Sequence, residues 1–368
     1  MRALLVLLPF ALLAQGPPAR IVSPQVHPDR RVTLRFRAPN AAKVTLNREG
    51  GRPADMVKDE KGVWSITTEA LAPDMYGYSF NADGVSLIDP GNPSMMPNLL
   101  SSTSMFHVPS PDASLPWETR DVPHGTVHHH YFRSAICQDQ RDFFVYTPPG
   151  YDPKAKTKYP VLYLLHGNTQ DASSWTSVGQ AHVILDNLIA QGKAKPMLVV
   201  MTLGYGTMEL LQNRATMRPV LGLRKKSFDL FGESLLKEVI PTVEKTYRAS
   251  NNRALRALAG LSMGGAETLV VGLNHLETFS QLGSFSSGPL LDADFAQTFP
   301  NLTAKANDQL KLLWIACGKD DRLIEVSNKS VAFLKERNVK HEYVVTEGEH
   351  TWLVWRRSLS ALAPQLFR

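Results

Sequence analysis

Cysteine is nearly absent: Cys137 and Cys317 are the only 2 in a chain of 368 residues. Two thiols make neither a disulfide framework nor a thiolate metal cage, so a hydrophobic core must hold the fold. Cys317 ends an apolar run, a usual place for a small buried thiol, and both cysteines are read as unpaired and structural. Blocks of one charge are lacking too. The 40 Lys and Arg against 34 Asp and Glu leave a formal charge of +6, scattered along the chain. No aromatic-basic platform accompanies it, and nucleic acid is not expected as a partner. The one long apolar run, residues 3–13, is about half of what a bilayer span requires, which argues against a permanent membrane anchor. Repeats and low-complexity tracts are missing. Hydrophobic residues at 43% and charged residues at 20% then describe a globular chain long enough for two domains.

The short apolar run reads as an address. Met1-Arg2 supplies a positive start, residues 3–13 the apolar centre, and Ala14-Gln15-Gly16 small residues for cleavage. Residues 1–16 are expected to be a signal peptide and the mature chain secreted or periplasmic. No cysteine follows the run to carry a lipid.

Two textures follow. Over residues 20–108 short alternating runs at 32–36, 43–46, 63–67 and 76–80 are separated by turn residues such as Glu49-Gly50-Gly51. Alternation buries one face of each strand, and the spacing predicts a small all-β, immunoglobulin-like sandwich. Residues 109–123 read as linker. From 124 to 368 continuous apolar strands alternate with amphipathic stretches, which predicts an α/β domain around a mostly parallel sheet. Strands are expected at 143–147, 161–165, 197–202, 254–259, 282–286, 312–317 and 342–345. Helices are expected at 181–191, 232–247, 266–273 and 326–337, with Pro241 kinking or restarting the second.

The strongest chemical signal is Gly260-Leu261-Ser262-Met263-Gly264-Gly265, set between an apolar strand and a helical stretch. In that context the pattern holds a serine exposed on a sharp turn whose neighbours must be small, an α/β-hydrolase nucleophile. A serine hydroxyl needs a base, and in this fold the chain order is Ser, acid, His. His350, in the loop after the last strand, is the expected base, whereas His275 and His341 sit in helix or helix-exit contexts. Between them an apolar strand runs into Gly318-Lys319-Asp320-Asp321; Asp321 is preferred as the acid that orients the imidazole, with Asp320 the alternative. The oxyanion donors are expected to be the backbone N–H groups of Met263 and of Asn168 in His166-Gly167-Asn168, with Gly167 second and His166 structural. Trp352, Trp175 and Tyr205 are candidate substrate contacts, and the long connection 204–228, with Met208, Arg214, Arg218 and Arg224, is a candidate lid. His128-His129-His130 invites a metal, but consecutive strand residues face opposite ways, so no metal or other cofactor is expected.

These residues resemble a known group. Val145-Tyr146-Thr147-Pro148-Pro149-Gly150-Tyr151, Tyr159-Pro160 with the strand into His166-Gly167, and the Ser262 turn are similar to the esterase D-like α/β-hydrolases. Within that group the likeness is to bacterial feruloyl and acetyl xylan esterases of the first carbohydrate esterase family, and to enterobactin esterases. Gly318-Lys319-Asp320-Asp321 matches the group's Gly-x-x-Asp turn, which favours Asp321; Gly348-Glu349-His350 followed by Trp352 matches its histidine segment. The front part, with Gly62-Val63-Trp64 and Asp89-Pro90-Gly91-Asn92-Pro93, resembles early-set domains related to glycogen-recognition modules. The resemblance implies an acyl-enzyme esterase acting on a small ester or on feruloylated or acetylated polysaccharide. A siderophore trilactone is the alternative ester. Acyl transfer to an alcohol and a non-catalytic carbohydrate-binding protein are the readings of other classes.

Overall fold

The computed structural model describes residues 21–216, 222–290 and 295–368; the expected signal peptide, residues 1–16, and Arg218 lie outside them. The main body is an eight-stranded sheet: β1 (Thr126–Arg133), β2 (Gln140–Thr147), β3 (Val161–Leu165), β4 (Leu198–Thr202), β5 (Arg256–Leu261), β6 (Gln281–Phe285), β7 (Leu312–Gly318) and β8 (Glu342–Thr346). Its order is β1-β2-β4-β3-β5-β6-β7-β8, with β2 antiparallel to both neighbours and every later pairing parallel. Strands β3 to β6 are buried at every residue, which is why β3 and all but the end of β4 read as apolar runs. Edge strand β1 has no such run. Its histidines go to separate partners instead, His128 to Thr147 Oγ1, His129 to Asp142 and His130 to Tyr247 Oη.

Helices α1 (Ala181–Ala190), α2 (Leu223–Ser234), α3 (Met263–Asn274), α4 (Ile324–Glu336) and α5 (Trp352–Leu362) flank the sheet. Alternate residues of β3 divide between two cores. Val161, Tyr163 and Leu165 face α2, α3 and α4, while Leu162 and Leu164 face α1 and α5. The expected helix 232–247 is the rear of a longer rod: α2 passes through a π turn, Leu235–Val239, into a last helical piece, Ile240–Thr246. Pro241 lies in the first turn of that piece, where a missing N–H is best tolerated. Among the described residues no helix is long and apolar enough to cross a membrane.

In front of this body two antiparallel sheets face each other. One holds Val32–Arg37 and Val63–Thr67; the other is built on Val44–Arg48, Asp74–Ala82 and Thr103–Val108. Val32, Leu34, Phe36 and Trp64 from the first meet Val44, Leu46, Tyr78, Phe80 and Phe106 from the second in one apolar core. Trp64 is buried, with Nε1–H donating to Ala38 O at 2.9 Å, so its ring is packing and not a sugar platform. The connecting segment is fastened down: Trp117 is buried, and Asn187 on α1 donates to Pro116 O and Glu118 O, each at 2.8 Å. Cys137 and Cys317 are both free.

Candidate active site

Strand β5 delivers Ser262 and α3 begins at the next residue. Ser262 has φ 53° and ψ −113°, a conformation that side-chain-bearing residues rarely adopt and that over-determined surroundings must hold. The surroundings are visible. A Cβ on Gly260 would lie 2.5 Å from Gly264 O, and one on Gly264 would lie 2.6 Å from His166 O. Ser262 N–H donates to Phe285 O at 2.9 Å, and Gly288 N–H to Ser262 O at 2.8 Å, pinning the turn from the β6 side.

His350, in the loop between β8 and α5, reaches this serine. Its Nε2 stands 2.9 Å from Ser262 Oγ, and its Nδ1 lies 2.9 and 3.0 Å from the two carboxylate oxygens of Asp321, after β7. Only a donor suits a carboxylate, so Nδ1 carries the proton and Nε2 keeps the lone pair that accepts the serine hydroxyl. Burial pushes the Asp321 carboxyl up, but the hydrogen bond and charge of His350 and the Leu323 N–H pull it down further, holding it below its ordinary value. Asp320, the alternative acid, is exposed, and its N–H donates to Gly348 O at 3.1 Å. Gly318 also abuts the Gly348 carbonyl too closely for any Cβ. The acid turn and the histidine loop are thus laced backbone to backbone, which turns Asp320 outward and Asp321 in.

Two backbone N–H groups next to the Ser262 turn are the oxyanion candidates. Met263 is the first residue of α3, so its N–H has no intrahelical acceptor and sits at the positive end of the helix dipole. The other candidate loop follows β3. There Gly167 N–H is already taken by Gln170 Oε1 at 2.9 Å, which leaves Asn168 as the donor of choice. A Cβ on Gly167 would come 2.6 Å from Leu261 Cδ1 and 3.2 Å from Ser262 Cβ, so only glycine lets this loop lie against the nucleophile. His166 is buried beneath: Nδ1–H donates to Gly167 O at 2.8 Å and Nε2 accepts Gly204 N–H at 2.9 Å, fixing a neutral ring whose affinity for a second proton burial lowers.

The three expected substrate contacts are placed differently. Tyr205 is wholly buried; its hydroxyl donates to Asn168 Oδ1 at 3.0 Å and accepts Thr169 N–H, so it braces the loop after β3 from behind. Trp175 is 1% exposed, with Nε1–H bonded to Leu165 O at 2.9 Å. Trp352 is 3% exposed and packs edge-on to Trp175 and to Trp355, at 5.1 and 5.3 Å between ring centres. Trp355 meets the His350 ring at 4.9 Å and 87°. The tryptophans therefore form the wall behind the histidine, and neither Trp175 nor Trp352 offers a face to a ligand. Proximity in sequence suggested contact; burial of so large an apolar ring decides otherwise.

Other residues at the site gave no sequence signal. Asn98 Nδ2–H donates to Thr169 Oγ1 at 2.7 Å, Leu99 N–H donates to Thr169 O at 2.7 Å, and Leu99 and Leu100 stay exposed beside the loop after β3. Gln170 and Gly288 act through long-range geometry, and the buried Glu267 lies on α3 close to Gly204 and His166. The lid candidates divide: Tyr205 is internal, Met208 packs against the main core, and Arg224 reaches Pro289 O.

A strained serine at a strand-to-helix turn, an imidazole on its hydroxyl and a carboxylate behind the imidazole define an α/β-hydrolase site. The chain belongs to the Esterase family, described as putative esterase, whose model matches residues 134–366. It is 34% identical over 352 residues to an endo-1,4-beta-xylanase/feruloyl esterase of Xylanibacter ruminicola, covering 94% of this chain and 46% of that protein. It is 23% identical over 164 residues to an acetyl esterase of Caldicellulosiruptor saccharolyticus, covering 36% of this chain and 62% of the relative. The chain thus spans about half the length of the curated relatives it matches. In fold it is similar to a ferulic acid esterase from Anaeromyces mucronatus, with TM-score 0.58, 23% identity and coverage of 68% of this chain and 93% of that one. The enterobactin esterase of Shigella flexneri is similar over 92% of each chain, with TM-score 0.69 and 19% identity.

Proposed function

We propose that this chain is a serine esterase working through an acyl-enzyme, with hydroxycinnamoyl esters of plant polysaccharide as substrate. The observation that carries the reading is the His350 ring, hydrogen-bonded to Ser262 Oγ through one nitrogen and to Asp321 through the other. Ser262 Oγ attacks the ester carbonyl as His350 Nε2 takes its proton; Asp321 holds the ring and stabilises the imidazolium. The oxygen that becomes negative is received by the N–H groups of Met263 and Asn168. Collapse expels the alcohol, which collects the proton from His350. Water then repeats the attack and releases the acid. The substrate class is supported by the likeness to the endo-1,4-beta-xylanase/feruloyl esterase of Xylanibacter ruminicola. Export to meet such a substrate is part of the same proposal and rests on the leader-like residues 1–16.

A trilactone esterase is the second reading, because the likeness to the enterobactin esterase reaches across the front sandwich as well. One comparison tests both: initial rates on methyl ferulate, acetylated xylan and a catechol trilactone, with Ser262→Ala alongside. Methyl ferulate is expected to give the highest kcat/KM, and Ser262→Ala to lower it by about 10⁴-fold or more. Wild-type activity in Ser262→Ala ends the serine mechanism, and a preference for the trilactone replaces the substrate.

A further inference from the structure

Helix α5 starts two residues past His350, and its N-terminus is not capped by its own chain neighbourhood: Thr351, at the N-cap, makes no side-chain cap hydrogen bond. The acceptor comes instead from the front sandwich, 303 residues away in sequence. Trp352 N–H donates to Glu49 Oε1 at 2.6 Å. The other Glu49 oxygen accepts Gly77 N–H at 3.1 Å, so the carboxylate is tied to the sandwich by one oxygen and to the catalytic helix by the other. A carboxylate is the favoured group at a helix N-terminus, where free N–H groups and the helix dipole both attract it.

The fit around this contact is close. Gly50 adopts φ +66°, and a Cβ there would lie 3.1 Å from Leu353 Cδ1, on the first turn of α5. Leu353 itself packs against the apolar core of the sandwich. One turn on, Arg356 is fully buried and donates to Asp74 Oδ1 at 2.9 Å and to Met75 O at 2.5 Å. One face of α5 therefore belongs to the sandwich, while Trp355 on another face touches the His350 ring.

We propose that Glu49 is a positioning residue for catalysis: by capping α5 from the front sandwich it fixes the 348–351 loop and so holds His350 Nε2 on Ser262 Oγ. The proposal rests on the Ser262–His350–Asp321 reading. It assigns the sandwich a part in turnover that needs no sugar-binding surface. Without the cap, the helix start is free to fray and the imidazole to move by a fraction of an ångström, which proximity catalysis punishes more heavily than binding does.

The test uses the full chain and 4-nitrophenyl acetate. Glu49→Ala is expected to lower kcat by about 10- to 100-fold with little change in KM. Glu49→Asp, one methylene too short to span both N–H groups, is expected to do the same, and it carries the test if the alanine variant does not fold. Glu49→Gln keeps an acceptor for Trp352 N–H and should recover most of the rate. Leu34→Ala, in the centre of the sandwich core, supplies a stability control: it should lower Tm and leave kcat unchanged. Reaction of Ser262 with phenylmethylsulfonyl fluoride should slow in Glu49→Ala in step with kcat. Wild-type kcat in folded Glu49→Ala and Glu49→Asp overturns the proposal, as does an equal fall in kcat for Leu34→Ala at matched Tm. Activity that survives Ser262→Ala overturns the triad instead, and the two failures are told apart by that variant.

Discussion

The main sheet and the front sandwich put their polar groups to different uses. In the main body the polar atoms converge: Ser262, His350 and Asp321 come from the C-terminal ends of β5, β8 and β7 to one rim, and each is satisfied by the next. In the sandwich they divide: buried Asp89 accepts the hydroxyls of Ser23 and Tyr78 inside it, while Glu49, Asp74 and Asn98 reach across to the main body. A parallel sheet leaves its strand ends on a common edge with loops free to carry chemistry. An antiparallel sandwich uses its connections to close on itself, and its turns become available as struts. Function is therefore built on the first region and steadied by the second. Substitutions in the two regions should separate into losses of rate and losses of stability, with Glu49 the one sandwich residue expected to act on rate.

The largest effect belongs to the convergent side. Asp321→Asn places an amide where the carboxylate accepts Nδ1–H; the ring is then free to take the other tautomer, with a proton facing Ser262. A fall in kcat of about 10³- to 10⁴-fold is expected, with Tm nearly unchanged. Asp320→Asn, one residue away but exposed, should keep the wild-type rate. Steady-state kinetics on the pair settles which acid serves, and equal losses in the two would refute the assignment.

Next comes a strut. Arg356 has no exposed side chain and Asp74 has 11%, so this ion pair is removed from water. Burial pushes the Asp74 carboxyl above its ordinary value, more than the Arg356 guanidinium pulls it down. Such a pair adds little over an apolar replacement, yet removing one partner strands the other charge. Asp74→Ala should cost about 3–5 kcal/mol in urea unfolding, and Asp74→Leu combined with Arg356→Met should restore much of it. A loss below about 1 kcal/mol for the single variant would mean that water reaches the guanidinium.

Much of this division was legible in the sequence because period and burial are coupled. Residues 161–165 read as a fully buried strand, and β3 is that strand at every residue. The residues 32–36 and 63–67 alternate, and both pair across one sheet of the sandwich. The serine turn was legible in part because Gly260 is demanded by the carbonyl of Gly264, four residues on, a local constraint; Gly264 is itself demanded by the distant His166 carbonyl. What stayed hidden depends on distant partners. Strand β1 lacks an apolar run because it lies at an edge, where histidines with individual partners suffice. Trp175 and Trp352 looked like ligand platforms because nothing local says which neighbour will cover an aromatic ring. Glu49 and Arg356 are ordinary charges until the chain brings 303 and 282 residues of separation to nothing.

The smallest effect expected lies where the catalytic body departs from its own rule. Glu267 is on α3, fully buried, and neither carboxylate oxygen has a hydrogen-bond partner among the described residues. A Cβ on Gly204 would lie 3.0 Å from Oε2 and 3.5 Å from His166 Nε2, so the acid sits close to both Gly204 and His166. Burial drives its affinity for a proton well above the ordinary carboxyl value of 4.5, against a weaker pull from Arg141. The folded chain keeps this proton over a pH range in which the unfolded chain has released it. The resulting contribution to stability is complete below about pH 4.5 and is lost as pH rises toward the raised folded value. Glu267→Gln removes the titration while keeping the shape. Its unfolding free energy should lack that downward slope and exceed the wild type's at pH 8. Urea titrations of both proteins between pH 5 and 8 measure the difference. Parallel curves would mean that Glu267 is ionised in the folded state and that a counter-charge reaches it.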